Sequence, residues 1–209
     1  MEIKKYANLP IDLANAAREI PKQRPFTYIT RGSLGDEYLA AAKAHLKDEH
    51  LYIILSDTGS PFCNILSTVT GNEYNHASLA FDEALETMVS YNGGNGIGKP
   101  GLNREKVQYF KQKSDSKIAV YKLKATSHEQ QKILDYIMKI DAEGSSYNVL
   151  RVAAKLQPAP NIKICSQFVY ESLAVAELQY FSKSPLEIMP MDFVRENDGT
   201  LELCYHRTL

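Results

Sequence analysis

At 209 residues with 44% hydrophobic side chains, the chain is long enough for one domain with a sizeable core, with or without an N-terminal extension. Its 24 basic and 25 acidic residues leave a formal charge of −1, which removes the electrostatic case for nucleic acid or an anionic membrane as the main partner. The N-terminus lacks an uninterrupted apolar run and no segment is long enough to cross a bilayer, so no membrane span and a cytoplasmic location are expected. Cysteine usage fits that compartment. Cys63, Cys165 and Cys204 are odd in number, make no C-x-x-C pair, and form no zinc-type cluster with the five histidines. No metal or organic cofactor is expected.

Residues 1–49 read as a helical extension. Ile11 to Ile20 is apolar at helical spacing and stops at Pro21, Phe26 to Thr30 suits a short strand, and Ser33 with Asp36 reads as a capping box for a helix through Leu46. Residues 50–209 then form the main domain. His50 to Ser56 predicts a strand buried on both faces. Ser60, Pro61 and a closing Gly71 bound a helix. Asn75 to Phe81 alternates as a strand, Asp82 to Leu85 turns, and Glu86 to Tyr91 returns. A glycine-rich loop from Asn92 to Gly101 precedes another strand, Lys117 to Leu123. Ser127 and Gln130 mark a second capping box, and the helix behind them carries Ile133, Leu134, Ile137 and Ile140 on one face until Gly144. A further helix near Tyr147 to Leu156 is followed by Pro158 and Pro160. Ser166 to Leu178 is apolar nearly all round and predicts a buried helix. Leu201, Leu203 and Tyr205 alternate as a last strand. The order of elements argues for an α+β fold, an antiparallel sheet packed on helices.

Cys165 stands directly before the buried helix, where backbone N–H groups and the helix dipole stabilise a thiolate. Its own amide points where an oxyanion would form. A structural thiol sits more naturally mid-helix or mid-strand. His76 opens its strand on a face shared with small Ser78 and Ala80, a face that leaves room for the Cys165 helix to pack closely. His45, His50, His128 and His206 fall in charged or terminal stretches and fit the role of base less well. A third group should orient the imidazole. On the return strand Met88, Ser90 and Asn92 share one face, so Ser90 is the candidate and Asn92 the fallback.

The segments Tyr52-Ile-Ile-Leu-Ser, Gly71-Asn-Glu-Tyr-Asn-His-Ala-Ser-Leu-Ala-Phe-Asp82 and Ile164-Cys-Ser-Gln-Phe-Val169 resemble the permuted NlpC-type papain-like cysteine hydrolases (YiiX- and YaeF-like). The resemblance covers roughly residues 50–206. His76 precedes Cys165 by 89 residues, the permuted order. It implies a circularly permuted papain-like core and hydrolysis of an amide, ester or thioester bond, with Cys165 as nucleophile and His76 as base. The implied partner is a peptide, amide or lipid-acyl substrate. Members of the group commonly carry an acidic or histidine residue where this chain has Ser90.

Other readings compete. Leu55-Ser-Asp57-Thr-Gly-Ser60 matches an aspartic-protease signature, but a single copy would need a homodimer to supply the second aspartate. Asn92-Gly-Gly-Asn-Gly-Ile-Gly98 lacks the lysine of a phosphate-binding loop, and no helix start follows it. The alternative of a different class is a non-catalytic module that binds a lipid or peptide on the same fold.

Overall fold

The structure, a computed structural model, describes residues 26–57, 73–94, 98–110, 116–148 and 157–209. The helices expected over 11–20 and from Ser60, most of the one expected near 147–156, and Cys63 lie outside the described residues. Among those described, an antiparallel six-stranded sheet runs in the order β4-β3-β2-β1-β5-β8. Its strands are β1 (His50–Ser56), β2 (His76–Ala80), β3 (Val89–Asn92), β4 (Gly101–Arg104), β5 (Lys117–Lys124) and β8 (Leu201–Thr208). A short parallel pair, β6 (Ser146–Tyr147) and β7 (Ile162–Lys163), stands beside it. The helices are α1 (Gly35–His45), α2 (Ser127–Glu143), α3 (Cys165–Val175) and α4 (Asp192–Arg195). None of the described helices is long and apolar enough to cross a membrane.

The α+β expectation is met, and the period-two alternation of the strands explains how the sheet divides its residues. Leu51, Ile53 and Leu55 of β1 join Ala77 and Leu79 of β2 in one core with Ile133, Leu134, Ile137 and Ile140 of α2 and Phe168, Val169 and Leu173 of α3. Tyr52 and Ile54 face the other way with Ala80, Met88, Ile118, Val120 and Phe110. β1 is central, paired to β2 and β5, which is why it is apolar on both faces. The described part of the N-terminal stretch shares the first core through Leu34, Tyr38 and Ala42.

Several local expectations shift. Phe26 to Thr30 makes only a single bridge, Thr30 to Ser145, rather than a strand. Ser33 does not cap α1, whose N-cap is Leu34 without a side-chain bond. Its hydroxyl donates instead to the Leu102 carbonyl at 2.6 Å, and its N–H donates to Asp141 at 2.8 Å, tying α1 to β4 and α2. The capping box of α2 is Thr126 with Glu129, one residue ahead of the expected Ser127 with Gln130. Gln130 is buried and reaches the Ala125 and Asp48 carbonyls, so it is not available at the helix end. Gly144 does end α2, at φ 97. The return strand starts at Val89 rather than Glu86, because the Asp82 carboxylate takes the N–H groups of Glu86 and Thr87 at 2.9 and 2.8 Å and extends the turn. The stretch read as loop up to Gly101 gives way to a strand, β4, which pairs with β3 from Val89↔Arg104 to Asn92↔Gly101. Gly101, at φ 139, lets β4 approach Ser145, whose Oγ would lie 2.6 Å from an added Cβ.

Candidate active site

β7 delivers the chain to α3 through Ile164, which is extended (φ −101, ψ 170) and carries no side-chain cap. The first-turn N–H groups of α3 therefore lack the side-chain acceptor that most helices provide. Cys165 is the first helical residue. The backbone N–H groups of Ala77 and Ser166 lie where they favour its thiolate. Phe168, Val169 and Leu173 anchor the helix in the core behind it.

β2 brings His76 to the same point, where the imidazole and the Cys165 sulfur each favour the charged form of the other. The imidazole Nε2 lies 3.1 and 3.2 Å from the two carboxylate oxygens of Glu105. That leaves Nδ1 as the ring nitrogen for the sulfur. Phe110 packs edge-on against the ring, centroids 6.0 Å apart. Glu105 follows β4 directly, its N–H donating to the Met88 carbonyl at 2.8 Å. Ser78 donates to one Glu105 oxygen at 2.6 Å and Asn92 to the other at 2.9 Å. Asn92 is itself held by Asn103, whose amide donates to the Asn92 side-chain oxygen at 3.1 Å. Cys165, His76 and Glu105 are 2%, 4% and 5% exposed, so the line of three is nearly dry.

The expected third residue is corrected. Ser90 is buried close by, but its hydroxyl donates to the Ala77 carbonyl at 2.6 Å and fastens β3 to β2 rather than meeting the imidazole. The group that meets the imidazole is the carboxylate of Glu105. Asn92, the fallback, stands one step further out, as a donor to Glu105. The packing of α3 is corrected as well. Its body lies on the Ala77 and Leu79 face, and His76 with Ser78 belongs to the opposite one. The small residues of that opposite face make room for Glu105 instead, and the elbow before α3 meets His76 where β2 begins.

Burial pushes the Cys165 thiol up, but the facing His76 charge and the hydrogen bonds from His76, Ala77 and Ser166 outweigh it, and its pKa falls below the usual thiol value. Burial alone would push His76 down, yet the Glu105 charge and the Cys165 sulfur hold it well above the ordinary imidazole range. Burial would raise Glu105, and the His76 charge with the bonds from His76, Ser78 and Asn92 brings it below the usual carboxylate value. Each shift favours the charged form of its group, thiolate, imidazolium and carboxylate. Cys204 behaves in the opposite way, its thiol pushed up by burial and by nearby Glu83.

Asp57, the residue behind the aspartic-protease reading, accepts from the Asn75 side chain at 2.7 Å, and the next three residues of that string lie outside the described ones. Glu105 is not among the expected site residues because no strand is expected between the glycine-rich loop ending at Gly101 and Lys117. The signal was there. A glycine-rich connection between Ser90-Tyr-Asn92 and Leu102-Asn-Arg-Glu105 is a hairpin pattern, and its pairing puts Asn103 and Glu105 on the face of Ser90 and Asn92. Compared with known proteins, the chain matches no family model, no curated protein and no solved structure.

Proposed function

We propose that this chain is a cysteine hydrolase that cleaves an amide, ester or thioester bond through an acyl-enzyme, on a core of the permuted papain-like type. The observation that carries the reading is the buried His76–Glu105 pair, bonded at 3.1 and 3.2 Å and set against Cys165 at the N-terminus of a buried helix. His76 takes the Cys165 proton and the thiolate attacks the carbonyl carbon, forming a carbon–sulfur bond as the carbonyl electrons move to oxygen. The Cys165 amide, at the start of a helix that has no side-chain cap, donates to that oxyanion. The imidazolium returns its proton to the leaving amine, alcohol or thiol as the bond to it breaks. Water, deprotonated by His76, then hydrolyses the thioester and frees Cys165. Glu105 stays ionised throughout and stabilises the imidazolium.

The order His76 before Cys165, the antiparallel sheet and the segments around both residues support the permuted papain-like assignment. Thiol chemistry tests the enzymatic part. At pH 6, iodoacetamide should modify Cys165 at least about tenfold faster than Cys204, since an ordinary thiol with a pKa of about 8.5 is nearly inert there. Cys165→Ala should abolish hydrolysis of any ester or amide found to be a substrate. Equal, slow modification of both cysteines favours the non-catalytic binding module.

A further inference from the structure

We propose that Lys163 and Glu171 form a side-chain brace that positions the Cys165 elbow, a role that rests on the hydrolase reading above. A conventional N-cap on α3 would compete for the first-turn N–H groups, one of which, that of Ser166, favours the Cys165 thiolate, and α3 has no side-chain cap. The elbow therefore needs another restraint. Lys163 is the last residue of β7, two positions before the cysteine, and its side chain is 5% exposed. Its ammonium group contacts the carboxylate of Glu171. Glu171 lies six residues into α3 from Cys165, about 9 Å along the axis.

The pair is held from a second element. Lys163 donates to the Tyr136 hydroxyl of α2 at 2.9 Å, and Tyr136 donates to Glu171 at 2.8 Å. Gln167, in the first turn of α3, donates to the other Glu171 oxygen at 2.8 Å. The strand before the cysteine, the helix after it and the neighbouring helix thus share one partly buried polar network. Desolvating an ammonium and a carboxylate is costly, and an apolar pair of similar size commonly stabilises a fold as well. What an apolar pair lacks is direction. Bonds fixed in length and angle set where β7 ends relative to α3, and so where Cys165 stands against His76 and the Ala77 N–H. Lys163 and Glu171 touch no reacting atom in this scheme and are positioning residues.

The experiment follows Cys165 alkylation by iodoacetamide from pH 5 to 9, by mass spectrometry on the full chain, beside thermal unfolding of each variant. The double variant Lys163→Met/Glu171→Leu removes both charges and leaves none unpaired. It should melt near the wild type, lose about tenfold in alkylation rate at pH 6, and shift its profile about one pH unit to the alkaline side, the size of one charge-assisted hydrogen bond. Tyr136→Phe keeps the ring, removes one bond of the network, and should shift the profile the same way by less. A folded double variant with the wild-type profile overturns the brace. If that variant does not fold, an unshifted Tyr136→Phe profile overturns it. A wild-type Cys165 no faster than Cys204 overturns the hydrolase reading itself and the brace with it, so the two failures are distinguishable.

Discussion

His76 Nε2 sits almost equidistant from the two oxygens of Glu105, at 3.1 and 3.2 Å, with both partners buried. The carboxylate is thus the main counter-charge to the imidazolium, and removing its charge should act on the sulfur through the ring. Glu105→Gln should lower the His76 pKa, raise that of Cys165, and cut Cys165 alkylation at pH 6 by about 10- to 100-fold, one to two pKa units. A pH–rate profile by mass spectrometry, with the His76 titration followed by NMR, checks this. An unmoved profile would mean that Glu105 is a bystander.

Ser90 and Asn92 should separate into different kinds of effect. Ser90→Ala loses a buried hydroxyl bond to the Ala77 carbonyl and should cost about 1–2 kcal/mol in denaturant unfolding, with the alkylation profile little changed. Asn92→Ala takes one donor from Glu105 and should raise the pKa of that carboxylate. Its alkylation rate should fall only severalfold, less than for Glu105→Gln. If Ser90→Ala depresses alkylation more than Asn92→Ala does, the assignment of Glu105 as orienter is wrong.

Acid should expose the Glu105 bonds in folding stability. The folded-state pKa of this carboxylate lies below its ordinary value of 4.5. Its contribution is therefore fully present above that value and is lost as pH falls through the folded pKa. Unfolding curves of wild type and Glu105→Gln should differ most at neutral pH and converge below pH 4.5. His76 runs in the other sense. Its raised pKa gives stability that is present below about 6.5 and lost as pH rises through the folded value. His76→Ala should therefore sit closest to wild type in alkaline solution.

Thr126 offers a control far from the chemistry. It closes a reciprocal box with Glu129, and Thr126→Ala should cost about 1 kcal/mol in stability while leaving the Cys165 profile unchanged. A changed profile would mean that alkylation is reporting global unfolding.

The core was readable because strand alternation and helical spacing are imposed by burial, as β1 and the apolar face of α2 illustrate. Cys165 and His76 could be singled out because each opens an element that the sequence marks clearly. Glu105 could not be singled out in the same way. Its strand is four residues long and holds Asn103 and Arg104 where apolar residues would announce a sheet. The polar side of that strand is used to support a buried carboxylate, so the usual hydrophobic signal is missing beside the candidate site. The caps misled for a related reason. Ser33 and Gln130 have the right composition for helix ends, but distant acceptors claim them, and a local pattern carries no information about those.

Asn103 donates to the Lys99 and Gly101 carbonyls as well as to Asn92, and so works as a register pin for the β3–β4 ribbon. Beside the acidic residue stand Arg104 and Lys106. Length changes upstream of the pin, in the connecting loop, can be absorbed without moving the carboxylate. Deleting Arg104, or inserting a residue just before it, cannot, because either step sets a cation, Lys106 or Arg104, against the imidazole. Drift in this part of the chain is therefore graded by location: tolerant in the loop, and electrostatically lethal to the site within two residues of it, even when the ribbon itself still forms.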